Sequence, residues 1–242
     1  MKTIAYIPAR LQSIRFPEKI LQPLHGKPLL AWAYENAVES NLFDDVILLA
    51  DDERTVDVAR SFKFHVRLTS KRPKSGTQRI IEAIENGAPL AEKIVNVQAD
   101  EPLVHKEMFS TLLGGDKGGA RIWTLKKKIE SLEEMRSLNV VKVVTNVDNE
   151  ALYFSRHCIP YDRDNVGGEH FRHVGLYAYT EEALEKLKKL EPCSLEHMEM
   201  LEQLTPLFHK IPIEVFETSH LAHGVDTLED LKKVESFLSS IF

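Results

Sequence analysis

The chain has 242 residues, 43% of them hydrophobic and 28% charged, with a net charge of −6. This is globular composition, long enough for one large α/β domain or one domain carrying a smaller lobe. The acidic balance argues against a nucleic-acid partner, no apolar run is long enough to cross a bilayer, and two cysteines (Cys158, Cys193) without C-x-x-C spacing set up no disulfide framework.

The N-terminal MKTIAYIPAR reaches Pro8 and Arg10 too soon for a secretory apolar core, so a soluble, cytoplasmic protein is expected. Lys2–Pro8 reads as a buried strand and Pro28–Ser40 as a helix with proline at its first turn. Asp45–Ala50 is a second strand; Asp51–Phe62 follows as a helix whose opening acids suit the helix dipole. His65–Leu68 and Lys93–Gln98 are further strands, with a helix over Thr77–Asn86 between them. This rhythm predicts an α/β fold, a doubly wound, mostly parallel sheet with ligands at the carboxyl ends of its strands.

After Gly114 the pattern changes. Gly114–Gly119 (GGDKGG) is a turn, and residues 121–129 and 140–146 are strands flanking a short acidic helix. Ala151–Asp164 and His170–Thr180 read as strands joined by a polar loop. Helices over Glu181–Leu190 and Ser194–Gln203, a strand over Ile211–Thr218 and a helix over Thr227–Phe242 complete the chain. The expected organisation is a single domain over 1–242, with a smaller mixed lobe at approximately 120–220.

Three stretches carry chemistry. Pro8–Lys19 (PARLQSIRFPEK) sets Arg10, Arg15 and Lys19, with Ser13 among them, directly after a buried strand; several converging cations suit a triphosphate. Solvated loop cations are the plainer alternative. The loop is neither a Walker A sequence nor G-x-G-x-x-G, which removes the usual support for kinases and dinucleotide enzymes. Asn96–Pro102 (NVQADEP) puts an acidic pair after a strand, where Asp100 is a candidate magnesium ligand or a turn aspartate before Pro102. In His223–Thr227 (HGVDT), Asp226 is either a second carboxylate for that metal or, with Thr227, a helix cap.

PARLQSIRFPEK resembles the P-A-R-x-x-S-x-R-x-P-x-K loop of the CMP-Kdo synthetases, the 3-deoxy-manno-octulosonate cytidylyltransferases. The likeness continues in order through SGTQR (75–79), VNVQADEP (95–102), VKVV (141–144), ALYFSR-x-x-IPYDR (151–163), H-x-G-x-Y (173–177), LEHMEMLEQL (195–204) and GVDTLEDL (224–231). It implies a Rossmann-like nucleotide-diphospho-sugar transferase fold and transfer of CMP from CTP to the anomeric hydroxyl of Kdo, for lipopolysaccharide synthesis, by a homodimer joined through the later half. It also implies that Arg10, Ser13, Arg15 and Lys19 handle the triphosphate, and that Pro8, Ala9, Ser75 and Gly76 shape the nucleotide pocket. Gln98 would lie near nucleotide and sugar, and Asp100 and Asp226 would hold Mg²⁺; Arg10, Lys19, Asp100 and Asp226 are the expected catalytic set. Arg79, Arg156, Arg163, His173, Tyr177, Glu202 and Gln203 would form or support the sugar-acid site.

Two positions depart from the family pattern. Ala99 stands where a glycine precedes the metal aspartate, and its methyl group is expected to crowd the site if the backbone needs a glycine-only conformation. Gln78 replaces an acid beside Arg79, an exchange expected to retune sugar preference toward an amino-substituted Kdo. Related alternatives are a cytidylyltransferase for another acidic sugar such as sialic acid, or a non-catalytic CTP-binding regulator. The histidine pairs His170/His173 and His220/His223 lack a third spaced ligand and read as loop histidines, His173 excepted by resemblance. Lys126–Lys128 reads as a solvated strand end, and Trp32 and Trp123 as core.

Overall fold

The computed structural model describes residues 2–13, 15–115, 119, 121–164, 166–220 and 223–240. It divides into two compact units, Met1–Ser110 with Leu221–Phe242, and Thr111–His220. The lobe expected at about 120–220 falls within the second unit.

The first unit is built on β1 (Thr3–Ala9), a run of apolar residues buried on both faces, as a strand inside a parallel sheet must be. A two-residue hairpin turn at His25 and Gly26, both with positive φ, joins β2 (Pro23–Leu24) to β3 (Lys27–Pro28). Pro28 then fixes the entry to α1 (Leu29–Glu39), which buries Leu29, Leu30, Ala33, Tyr34 and Ala37. β4 (Asp45–Ala50), α2 (Glu53–Ser61), β5 (Val66–Leu68), α3 (Gly76–Glu85) and β6 (Lys93–Asn96) follow. The strands order as β6-β1-β4-β5, all parallel, with Ala9 level with Ala50 and Tyr6 with Asn96. Their carboxyl ends therefore open along one edge. A helix absent from the expectations, α4 (Lys106–Leu113), comes next.

The second unit is mixed. β7 (Ile122–Lys128), α5 (Leu132–Arg136), β8 (Lys142–Thr145), β9 (Ala151–Ser155), β10 (Phe171–Thr180), α6 (Glu181–Leu187), α7 (Ser194–Glu199), α8 (Leu204–Phe208) and β11 (Ile213–Glu217) give the strand order β11-β7-β10-β8-β9, in which only β11 and β7 run parallel. The single helix expected over Ser194–Gln203 breaks at Met200, whose φ of 55° is left-handed. The strand expected over Ala151–Asp164 ends at Ser155. Half of the glycine-rich turn, residues 116–118, lies outside the described residues, as do Ile241 and Phe242, the last two positions of the final helix expected from the sequence. That helix, α9 (Leu228–Ser239), belongs to the first unit and starts with a capping box in which Thr227 and Asp230 bond reciprocally.

Lysines on the second unit's strands are less solvated than their charge predicts. Lys126 is buried, donating to Thr145 Oγ1 at 3.0 Å and lying over the Phe171 ring, which corrects the reading of a solvated strand end at that position, while Lys128 is exposed as expected. Lys142 is fully buried and donates to three carbonyls, Ser137 O (2.8 Å), Val140 O (2.6 Å) and Arg156 O (2.6 Å). Desolvation pulls its pKa down, and the carbonyls supply what water no longer does. Lys142→Met, of similar length but without donors, should destabilise the protein by about 3 kcal/mol by leaving buried carbonyls unpaired; the shift in the urea unfolding midpoint measures it.

Candidate active site

The open edge of the first unit's sheet carries a cleft of ≈ 330 Å³. Three segments supply its walls. The end of β1 and the loop after it give Pro8, Arg10, Gln12, Ser13, Arg15 and Lys19; the start of α3 gives Lys74, Ser75, Gly76 and Arg79; and the turn after β6 gives Gln98, Ala99 and Asp100. Of the predicted nucleotide residues only Ala9 is outside the lining, fully buried beneath it. Gly76 allows the closest approach: a Cβ there would stand 3.1 Å from Asn96 Nδ2 and 3.3 Å from Pro8 Cγ. Asn96 is itself fully buried, its amide N–H without a partner. Lys74 and Gln12 were not anticipated.

Two carboxylates far apart in the sequence, Asp100 on the cleft wall and Asp226, meet beside this cleft. Val225 N donates to Asp100 O at 2.9 Å, setting Asp226 beside Asp100. That junction rests on an apolar cluster of Leu24, Leu29, Val225, Leu231, Val234 and Leu238, against which Phe16 and Leu103 also pack. Phe16 comes from the cationic loop and Leu103 from the segment after Asp100. Lys19 Nζ then bonds Asp100 Oδ2 at 2.5 Å and Asp226 Oδ1 at 2.7 Å, and Arg15 bonds Asp226 Oδ2 at 2.8 Å. Burial would lower the Lys19 pKa, but the two carboxylates together raise it; burial would raise that of Asp226, and Lys19 and Arg15 hold it below the ordinary value. Two acid groups sharing one ammonium form a donor set suited to a hard cation, with the ammonium as its stand-in.

Arg79 does not stand free to meet a sugar. Its guanidinium is almost wholly buried and donates to Asp51 Oδ2 (3.2 Å), Thr69 Oγ1 (2.6 Å) and Ser70 O (2.9 Å). The other oxygen of Asp51 accepts from Leu11 N at 2.9 Å. One buried ion pair thus ties the loop after β1, the end of β5 and the first turn of α3. Asp51 was expected to serve the helix dipole; Asp52 does the capping, accepting from Arg54 N, and Asp51 turns inward. Its signal was legible, a carboxylate at the carboxyl end of a parallel strand.

Both departures acquire a place. Ala99 is not among the residues with positive φ, so nothing in its backbone demands glycine, and its side chain forms part of the cleft wall. Gln78 is exposed and belongs to the cap of α3: its N–H donates to Ser75 Oγ at 3.2 Å and its Oε1 accepts from Lys74 N at 2.9 Å.

The remaining predicted sugar residues lie in the second unit. Arg156 gives its donors to backbone carbonyls, Glu199 O (2.8 Å), Leu138 O (3.1 Å) and Met200 O (3.5 Å), so it closes the end of α7 instead of offering a free fork to a carboxylate. Arg163 is exposed and reaches Asp164 at 3.8 Å. A register shift between Val174 and Tyr177 lets the rings of His173 and Tyr177 meet, 5.3 Å apart, with Phe154 edge-on to His173. Thr124 Oγ1 lies 3.0 Å from His173 Nε2 and also contacts the carbonyls of Val174 and Leu176. With the hydroxyl proton on a carbonyl, Nε2–H donates to Thr124. Desolvation, aided by Arg172, pushes the His173 pKa down to about 3, so the ring is neutral at neutral pH. Gln203 is buried at the head of α8, which packs on β9, and Glu202 is half-buried beside it.

The cleft is that of a nucleotide-binding α/β protein, and comparison gives its class. The family model described as cytidylyltransferase matches residues 4–213. Two 3-deoxy-manno-octulosonate cytidylyltransferases are similar over nearly their whole lengths. That of Geobacter sulfurreducens is 40% identical, covering 97% of this chain and 98% of the relative, and that of Chloroherpeton thalassium is 42% identical, covering 99% and 98%. A solved CMP:2-keto-3-deoxy-manno-octonic acid synthetase complexed with CTP superposes with a TM-score of 0.94 at 34% identity, covering 100% of both chains. The chain belongs to the cytidylyltransferase family, and within it to the 3-deoxy-manno-octulosonate cytidylyltransferases.

Two outcomes follow from this geometry. Asp51→Asn removes the charge facing buried Arg79 while keeping an acceptor for Leu11, and should cost about 3 kcal/mol in urea unfolding. His173 has a folded pKa far below its unfolded 6.5, so the unfolded state takes up the extra proton, and stability falls as pH drops from about 6.5 toward 3. His173→Gln should flatten that part of the curve of melting temperature against pH; an unchanged slope would show that the ring is not desolvated.

Proposed function

We propose that this chain transfers CMP from CTP to the anomeric hydroxyl of 3-deoxy-manno-octulosonate, releasing pyrophosphate, with Mg²⁺ held by Asp100 and Asp226. The observation that carries this reading is the union, at the strand ends, of Arg10, Arg15, Lys19 and Asp100 in one cleft with Asp226 bonded to Lys19 and Arg15. Full-length relatives that bear the activity's name support the choice of substrates.

Arg10, Arg15, Lys19 and Ser13 would take the triphosphate, and Arg10 is suited to it because its guanidinium is exposed and, among the described residues, bonds Gln12 O at 3.0 Å. The backbone around Gly76 and Pro8 would approach the base, and Gln98 would reach nucleotide and sugar. The anomeric hydroxyl attacks the α-phosphorus in line, the bond to the bridging oxygen breaks, and pyrophosphate leaves. A Mg²⁺ held by Asp100 and Asp226 would supply polarisation of the α-phosphate and a lowered pKa for the attacking hydroxyl. No side-chain nucleophile is needed; the residues act by positioning and by offsetting the repulsion between an anionic sugar and an anionic triphosphate.

In the second unit, Arg163 is the exposed cation available to a sugar carboxylate, Tyr177, Glu202 and Gln203 would meet its hydroxyls, and Arg79 and Arg156 would act by holding their segments in shape. The same unit exposes Leu138, Leu152, Tyr161, Met198, Met200 and Phe208, which favours pairing of two copies through this lobe. A cytoplasmic place in lipopolysaccharide synthesis completes the proposal.

Pyrophosphate release from CTP and Mg²⁺ should require Kdo or its 8-amino analogue and fail with sialic acid. Asp100→Asn should lower kcat/KM on the order of 100-fold or more. CTP binding without release for any acidic sugar would turn the reading to a non-catalytic nucleotide binder.

A further inference from the structure

The position between Asp100 and Asp226 is already taken by a cation of the protein's own. Lys19 Nζ touches both carboxylates, at 2.5 and 2.7 Å, and its side chain is only 12% exposed where that of Asp226 is 47% exposed. A magnesium ion binds oxygens at about 2.0–2.1 Å, so it would have to stand where the ammonium stands. Charge leads the same way. With Arg15 on the far oxygen of Asp226, two cations face two anions, and the group has no charge left to attract a dication.

We infer that Lys19 is the resident counter-ion of the Asp100–Asp226 pair in the nucleotide-free protein, and that the pair opens to a divalent cation only when a triphosphate draws the ammonium away. This rests on the reading of the cleft as a CTP site.

Lys19 is placed for such an exchange. Its backbone is fixed: Glu18 is left-handed (φ 53°), Leu21 N donates to Glu18 O at 2.9 Å, and Ile20 is buried. Only the four-carbon stem is free to swing, and lysine carries its charge as a compact point that needs no planar partner. The same side chain lines the cleft together with Ser13 and Ser75. Moving the ammonium from carboxylates to phosphates uncovers two anions at the moment that a polyanion arrives. Nucleotide and metal then each raise the other's affinity by the same factor, and metal alone is kept off the empty enzyme.

The test reads Mn²⁺ binding directly, by electron paramagnetic resonance of the free ion, on the full-length chain without nucleotide. Lys19→Met should bind Mn²⁺ at least about tenfold more tightly than the parent, because one positive charge has left the site. Lys19→Arg, which keeps a cation there, should show no gain, and Asp100→Asn added to Lys19→Met should abolish it. Lys19→Gln replaces the methionine variant if circular dichroism shows that variant misfolded. A neutral variant that binds Mn²⁺ no more tightly than the parent overturns the inference. Water-proton relaxation with Mn²⁺ and CTP on the parent chain separates this from the wider reading. Enhancement there keeps the metal site while the counter-ion role falls; no enhancement, with no binding by the neutral variants, removes the metal site and the inference together.

Discussion

Two aspartates that repel each other are held at one point by a fold that offers them little choice. Asp226 follows Val225, whose side chain is locked in the apolar cluster under α9 and whose N–H bonds the carbonyl of Asp100. The backbone therefore fixes the encounter before any charge is balanced. The electrostatic cost is then offset by Lys19 and Arg15, delivered by a loop whose Phe16 packs on the same cluster. Apolar packing and charge pairing act on different atoms of the same residues, so the carboxylates keep their position when their counter-ions move. A site that must accept and release polyanions needs that separation.

A second constraint sets the opposite wall. Asp51 and Arg79 are both buried, and a buried ion pair contributes little net stability unless its remaining hydrogen bonds are met. Here they are: Leu11 N, Thr69 Oγ1 and Ser70 O complete the pair. The gain is geometric, because two of the segments that line the cleft, the loop after β1 and the start of α3, share one anchor with the end of β5. Gly76 adds close approach to Asn96 and Pro8, so this wall is tightly packed.

Much of this was legible in the sequence, and the limits have physical causes. The loop Pro8–Lys19 and the turn at Asp100 were readable because apolar strands mark where ligands of a parallel sheet must lie. The role of Asp226 was not, since cap and ligand use the same residue types, and only the Val225–Asp100 bond decides which side the carboxylate faces. Arg156 and Lys126 were misjudged in the same way. A cation in a strand-like segment reads as exposed and available, yet Arg156 spends its donors on backbone carbonyls and Lys126 donates to Thr145 from a buried position. The break at Met200 had no signal, because a left-handed methionine has no compositional mark. Gln78 did have one, the Ser-x-x-Gln spacing of a helix start, which the likeness to an acid-bearing pattern obscured.

The distribution of charge completes the account. A chain of net charge −6 must still receive a triphosphate and an acidic sugar. It does so by sorting its cations according to whether their donors are already occupied. Lys142, Arg156 and Arg79 have theirs filled by backbone and buried partners, and so hold structure without offering free charge. Arg10 and Arg163 remain exposed, each paired among the described residues with a near neighbour, and Lys19 and Arg15 are held by carboxylates that other cations can serve. Neutral His173 adds no proton to the balance near pH 7. What distinguishes a binding cation from a building one in this protein is thus whether its partners are exchangeable, a property set by the atoms around it and not by its place in a motif.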